Sequence, residues 1–325
     1  ASRGLGDVYK RQHITVPEGV TSIPANAFYG LKSLKSVTLP STLQSIGNYA
    51  FAYCTSLESI VIPETMVVLG TNLFQGCTSL SSVTLPEGLD VLSNYMFEGC
   101  TSLKTIDLPE SLTYLGTYTF QNSGLTSVTI PAGVKHLSLD KTSSAASGTH
   151  KVYTFANCTD LVSVTFNEGL ETMGRFVFSG CTSLESVKLP SSLYCMDREN
   201  FSNSGLKSIT IPATLTDWDY SFINCTSLVT VTLERGITEI PYSAFSGCTS
   251  LTTVNLPDTL TEMARGVFSG CTSLSNIVLP ESLVEIGGSA FANCTSLKSL
   301  VIRPNTAITS SGTFSGWTAE QTIYI

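Results

Sequence analysis

Ten cysteines and three histidines are the residues of this sequence best suited to chemistry, and their spacing narrows what they can do. Nine of the cysteines recur at Cys54, Cys77 and Cys100, at Cys158 and Cys181, and at Cys225, Cys248, Cys271 and Cys294, with steps of 23 within each run. Residues that repeat at one position of a stacked coil form a straight column with neighbours about 4.8 Å apart and parallel Cα–Cβ vectors. A disulfide needs Cβ atoms at about 3.5–4.5 Å with converging vectors, and a structural metal needs ligands that close on a point. The spacing therefore predicts buried thiols acting as small hydrophobes, with no metal site. Cys195 stands off the column.

His13, His136 and His150 offer little for acid–base work. His136 and His150 flank Asp140 and several serines, so a Ser-His-Asp grouping can be drawn on paper. A triad is defined by geometry, and the Ser-rich segment between these residues has nothing to hold one, so no catalytic residue is predicted. Carboxylates follow the strand-ending proline at Glu18, Glu64, Glu87, Glu110, Asp258 and Glu281, with Glu168 equivalent although Asn167 replaces its proline. Stacked, they would either repel one another and attract a cation or sit as solvated corners screened by water.

A third column, two residues before a recurrent Phe, carries Tyr49, Tyr95, Tyr118, Tyr153, Phe176 and Tyr220 and is interrupted by Asn72 and Glu199. If the small residue beside the Phe faces inward, this column faces out, and an exposed aromatic stripe suits a binding surface. The alternative is that each ring covers the corner of its own turn. These six are the candidate ligand-binding residues. A column of Thr38, Thr84, Thr129, Thr165, Thr210 and Thr232, broken by Val61, Asp107, Lys188 and Asn255, marks the outward positions of predicted strands, where Thr is a good strand residue.

The elements that place these columns follow from one period. Phe recurs at Phe28, Phe51, Phe74, Phe97, Phe120, Phe155, Phe178, Phe201, Phe222, Phe245, Phe268, Phe291 and Phe314, mostly in steps of 23. A fixed period in this range marks a solenoid. The unit reads C-T-S-L-x-x-V-x-L-P-x-x-L-x-x-I-G-x-x-A-F-x-x. Within it, V-x-L alternation makes a short strand, and Pro40 ends that strand at a corner. Leu43 and Ile46 face inward from a second segment, Gly47 is expected to permit a turn, and Phe51 fills the coil. One coil buries too little to offset the entropy of ordering 23 residues, so neighbours must supply the rest.

The 325 residues are 42% hydrophobic and 13% charged, well below the usual charged share of about 25%. Polarity comes instead from 44 Ser and 42 Thr. No apolar run reaches the ~18 residues that a membrane-spanning helix needs. A net charge of −8 with only 17 Lys and Arg argues against nucleic acid and leaves proteins, glycans or cations as partners.

L-x-x-V-x-L-P, I-G-x-x-A-F and the recurring Cys together resemble the BspA-like class of leucine-rich repeats over residues 13–325. The resemblance implies a right-handed, curved, β-rich leucine-rich-repeat solenoid, here of about thirteen turns, with short strands and little helix. It also implies an extracellular or cell-surface place in bacteria and a non-enzymatic role as an adhesin or protein-binding module, with no cofactor, for an extracellular protein or glycan. A polysaccharide-binding or polysaccharide-degrading β-solenoid and a structural spacer for another domain are the competing readings. Asp7–Gln12 resembles a translated sequencing adaptor, so 1–12 is expected to be a non-native leader and 13–325 a single solenoid truncated at both ends. Between Ile130 and Phe155 about thirteen residues are inserted. The inserted segment, near 138–152, is either a tolerated surface loop or a lip that faces a ligand.

Overall fold

A computed structural model describes residues 12–137, 152–302, 306–308, 312–318 and 320–324. These fall into two compact units, one within Ala1–Ser143 and Lys151–Asn167, the other within Glu168–Ile325. The expected leader up to Arg11 and the inserted segment up to Lys151, with Asp140 and His150, lie outside the described residues.

Each unit is a β-solenoid with no helix among its described residues. In the first unit, strands Ser36–Thr38, Ser59–Val61 and Ser82–Thr84 add in parallel to His13–Thr15, with register partners 23 residues apart such as His13 and Ser36 or Ser59 and Ser82. A second sheet stacks Ser22–Ile23, Ser45–Ile46 and Val68–Leu69. The second unit repeats the arrangement with Ser208–Ile211, Thr230–Leu233 and Thr253–Asn255, and with Glu239–Ile240, Glu262–Met263, Glu285–Ile286 and Ala307–Ile308. A one-residue slip would turn the inward Val, Ile and Leu outward, so the apolar pattern pins the register.

Among the described residues the third side of the coils contains no strand, yet it has a backbone ladder of its own. Tyr49 N–H donates to Thr71 O (3.0 Å), Phe51 to Leu73 O (3.1 Å) and Tyr53 to Gln75 O (2.7 Å), all toward the following coil. On the two sheets, bonds such as Glu58 N–H to Lys35 O and Val67 N–H to Gln44 O, both 2.9 Å, tie the coil to the preceding one. Within a unit, an interior coil such as that of Tyr49–Tyr53 is thus held on both sides, which is how an array of repeats too small to fold alone becomes stable.

The phenylalanines fill the axis. Those of the recurrent column from Phe51 to Phe291 are fully buried, whereas Phe166 and Phe176, which lie outside it, are half-buried. The column rings stack at 5.0–5.7 Å between centroids in the first unit and at 5.4–6.3 Å in the second. Phe120 and Phe155 are 35 residues apart in sequence and still stack at 5.2 Å, 7° from parallel. The residues flanking the insertion therefore keep the coil register, as Val128 and Val164 also do. Trp218 replaces the aliphatic residue of the second sheet and is 1% exposed, set edge-on to Phe222 and Phe245.

All ten cysteines are free and buried. They are more than small hydrophobes, because eight of the column thiols reach back to the carbonyl of the Phe one coil earlier, while Cys195 Sγ instead donates to Asp217 Oδ2 at 3.7 Å. Cys54 Sγ donates to Phe28 O (3.0 Å), Cys77 to Phe51 O (3.1 Å), Cys248 to Phe222 O (3.2 Å) and Cys294 to Phe268 O (3.1 Å). One coil beyond Cys294, Trp317 Nε1 takes the same role on Phe291 O at 2.9 Å. In the two coils shortened to S-G, Ser123 and Ser204 hold the cysteine position, 3.3 Å and 3.4 Å from the next sulfur.

The expectation for Gly47 needs correcting. Its backbone is not left-handed, and the reason for glycine is proximity: a Cβ there would strike the Ala25 backbone of the preceding coil. Gly124 and Gly205 are tighter still, since a Cβ would fall on the carbonyl oxygens of Thr101 and Thr182.

Candidate functional site

The third side positions the aromatic column by an unusual device. In every coil one residue there has a positive φ: Asn26, Tyr49, Asn72, Tyr95, Tyr118 and Tyr153 in the first unit, and Phe176, Glu199, Tyr220, Ser243, Gly266, Ser289 and Gly312 in the second. Four residues on, the backbone is left-handed again, mostly at Gly or Asn but at Tyr53 in one coil (φ 59°). Gly and Asn adopt this region readily, whereas a bulky aromatic there is an outlier. Tyr at φ 57° in Tyr49, 58° in Tyr95 and 59° in Tyr118 runs against local preference, which points to the ring being there for what it touches.

In the first unit those rings meet. Tyr95 and Tyr118 stack at 4.6 Å and 6°, and Tyr118 and Tyr153 at 5.2 Å and 29°. Tyr49 is 37% exposed, while Tyr95, Tyr118 and Tyr153 are half-buried against one another. Neither sequence alternative describes this fully, because the rings cover their neighbours rather than their own corners and leave edges and hydroxyls outward. Tyr53 joins them, lying over Gly76 and edge-on to Tyr29 at 5.5 Å. Six of the chain's twelve tyrosines share this face.

Beneath the rings runs a polar chain. Asn72, 6% exposed, donates from Nδ2 to Gln75 Oε1 (3.1 Å), and Gln75 Nε2 donates to Glu98 Oε2 (2.6 Å). Partial burial holds the Tyr53, Tyr95 and Tyr118 phenols above their ordinary pKa, and the neighbouring phenols and Glu98 push the same way. The face is thus a set of phenol hydroxyls gathered around Glu98.

Phe176 and Tyr220 lie in the second unit, each with a guanidinium over its ring. Arg175 is 5.9 Å from the Phe176 centroid and Arg198 5.5 Å from that of Tyr220. Each arginine also faces a carboxylate, Arg175 to Asp197 at 3.7 Å and Arg198 to Asp219 at 3.9 Å.

The outward strand positions line shallow grooves. One of about 720 Å³ in the first unit is bordered by Thr38, Ser59, Val61, Thr84 and Glu64. One of about 760 Å³ in the second is bordered by Asn255, Val278, Asp258 and Glu281. Val61 and Val278 are 62% and 75% exposed within them. The corner carboxylates are spread along this side: Glu18 accepts from Ser41, and Asp258 pairs with Arg235 at 3.2 Å. Among the described residues no group of three or more His, Cys, Asp or Glu could hold a metal ion.

Sequence reasoning missed Tyr29, Tyr53, Gln75 and Glu98. The available signal was Tyr53 directly before a ladder cysteine, where other coils place Gly or Asn. It also missed the in-register Glu239, Glu262 and Glu285, legible as a carboxylate before each inward Ile or Met. Burial, then Glu262 and Asp219, raises the Glu239 pKa.

A family model described as BspA type leucine rich repeat region matches in six copies, over residues 10–143, 149–233 and 218–325. Among solved structures, a leucine-rich repeat protein from Bacteroides ovatus is 23% identical over 97% of this chain and 93% of that one, with a TM-score of 0.49. The pneumococcal vaccine antigen PcpA is 20% identical over 97% and 79%, TM-score 0.51, a likeness of fold. A leucine rich cell surface protein from Faecalibacterium prausnitzii is 23% identical over 97% and 88%, TM-score 0.46. No curated protein matches, and no helix of the described residues is long and apolar enough to cross a membrane.

Proposed function

This chain belongs to the BspA-type leucine-rich repeat family, and from that premise we propose that it is a non-enzymatic binding module, displayed at a bacterial cell surface, that captures an extracellular protein. The observation that carries this reading is the tyrosine face of the first unit, where rings occupy backbone positions that favour Gly or Asn. Tyr is enriched among the residues that dominate binding energy, since it supplies a large rigid surface and a hydroxyl. A glycan fits this face less well, because a sugar ring packs on an open aromatic face and the faces of Tyr118 are covered by Tyr95 and Tyr153.

Adhesion would be the working role of such a face. Support for the absence of turnover is chemical: the buried thiols are protonated, and carboxylates such as Glu18 and Asp258 are engaged at separate corners. The test is an array of extracellular proteins and glycans probed with the parent chain and with a Tyr95→Ala, Tyr118→Ala variant. The double variant should lose roughly 30-fold or more in affinity for the captured protein, as expected of hot-spot residues, with an unchanged far-ultraviolet dichroism spectrum. Equal capture by both chains would move the site to the grooves of the first sheets, and glycan turnover would overturn the binding-module reading.

A further inference from the structure

The tyrosine column of the first unit has one ring missing. Tyr49, Asn72 and Tyr95 stand on consecutive coils with matching backbone, at φ 57°, 59° and 58°, so Tyr49 and Tyr95 are two steps apart, roughly 10 Å at about 4.8 Å per step. Where the column is filled, as from Tyr95 to Tyr118, one step brings ring centroids to 4.6 Å. The gap over Asn72 is therefore the thickness of one flat group. Its floor is the Asn72–Gln75–Glu98 chain and its side is Tyr53, whose ring lies over Gly76.

The second unit shows what this column pairs with. There Arg198 lies over Tyr220 and faces Asp219, and Arg175 lies over Phe176 and faces Asp197. Ring, guanidinium and carboxylate occur together twice. In the first unit the rings and the half-buried Glu98 carboxylate are present, but no Lys or Arg among the described residues forms an ion pair with Glu98. Resting on the docking face proposed above, we propose that the slot over Asn72 captures an arginine side chain of the partner protein. The guanidinium stacks between Tyr49 and Tyr95 and pairs with Glu98. A guanidinium is flat, weakly hydrated and suited to aromatic stacking, and an ammonium is none of these. About 5 Å to each ring lies within the range of a cation–π contact, and the net charge of −8 favours a basic partner.

N-acetylarginine amide, its lysine counterpart and N-acetylglycine amide, each titrated against the folded chain while the tyrosine ring signals are followed by NMR, test this directly. Arginine should give saturable shifts at Tyr49 and Tyr95 and bind about fivefold or more tighter than lysine. Glu98→Gln should weaken arginine binding several-fold. Asn72→Tyr supplies the ring that neighbouring coils already carry, so it should close the slot and abolish the shifts while the chain keeps its far-ultraviolet dichroism spectrum. Lysine binding equal to arginine, persistence of the shifts in Asn72→Tyr, or no saturable shift at all would overturn the proposal. Failure of the slot alone can be told from failure of the wider reading. A protein partner lost by the Tyr95→Ala, Tyr118→Ala variant but held by Asn72→Tyr would leave the docking face standing and remove the slot.

Discussion

Raising the pH from 8 to about 10.5 should unfold this protein cooperatively, in the presence of reductant and at moderate temperature. Burial is the leading cause that pushes nine thiols upward: Cys54, Cys158 and Cys225 to about 11, Cys195 and Cys294 to about 12, with Cys77, Cys100, Cys248 and Cys271 also held well above the ordinary thiol range. An unfolded cysteine ionises near 8.5. The folded chain therefore keeps protons that the unfolded chain releases, so the stabilising contribution is whole below about pH 8.5 and declines above it. Each thiol removes about 1.4 kcal/mol per pH unit once its unfolded counterpart is ionised. Nine together remove on the order of 12 kcal/mol per unit, comparable with the whole stability of an ordinary domain. Dichroism followed against pH should show the β signal lost between about pH 9 and 10.5. Cys77→Ser with Cys100→Ser keeps both donors and removes two titrating groups, so the dependence should become shallower. A β signal intact at pH 11, or an unchanged slope in that variant, would contradict the protonated-thiol ladder.

Phe97→Ala should cost about 3–5 kcal/mol, the usual range for emptying an aromatic site in a core. Its ring is fully buried between Phe74 at 5.5 Å and Phe120 at 5.4 Å. A solenoid coil touches only its neighbours, so the cavity weakens two interfaces at once and nothing distant compensates. Urea unfolding should show the first unit melting well before the second, as two transitions where the parent chain gives closer ones. Phe97→Leu, which conserves most of the volume, should recover most of the loss. A cost below about 1 kcal/mol for the alanine variant would mean that the Phe column is not the core.

Repetition made most of the fold legible. Because Phe, Cys and the V-x-L-P run return every 23 residues, each reading of a strand or corner was checked by its copies, and the register pairs of Ser36 with Ser59 and Thr230 with Thr253 follow from the period. What escaped were contacts that depend on direction rather than on residue type. The column reads Cys whether the thiol merely packs or donates, and only the 26-residue reach from Cys77 to Phe51 O distinguishes them. Gly47 reads as a turn glycine, while its true constraint is the Ala25 backbone one coil away. The tyrosine column was legible as residues, but Tyr53, Gln75 and Glu98 reach it from other coil positions or later coils.

Coils in register, with sulfur columns that pack and donate but never bond to each other, are the claim on which the rest depends. Mass spectrometry after alkylation without reductant tests it most directly, in native buffer and in denaturant. The ten buried free cysteines predict no adducts on the native chain within minutes and ten on the denatured one. Rapid native labelling, or adducts missing in pairs after denaturation, would mean that the cysteines are exposed or cross-linked and that the coils do not stack as described.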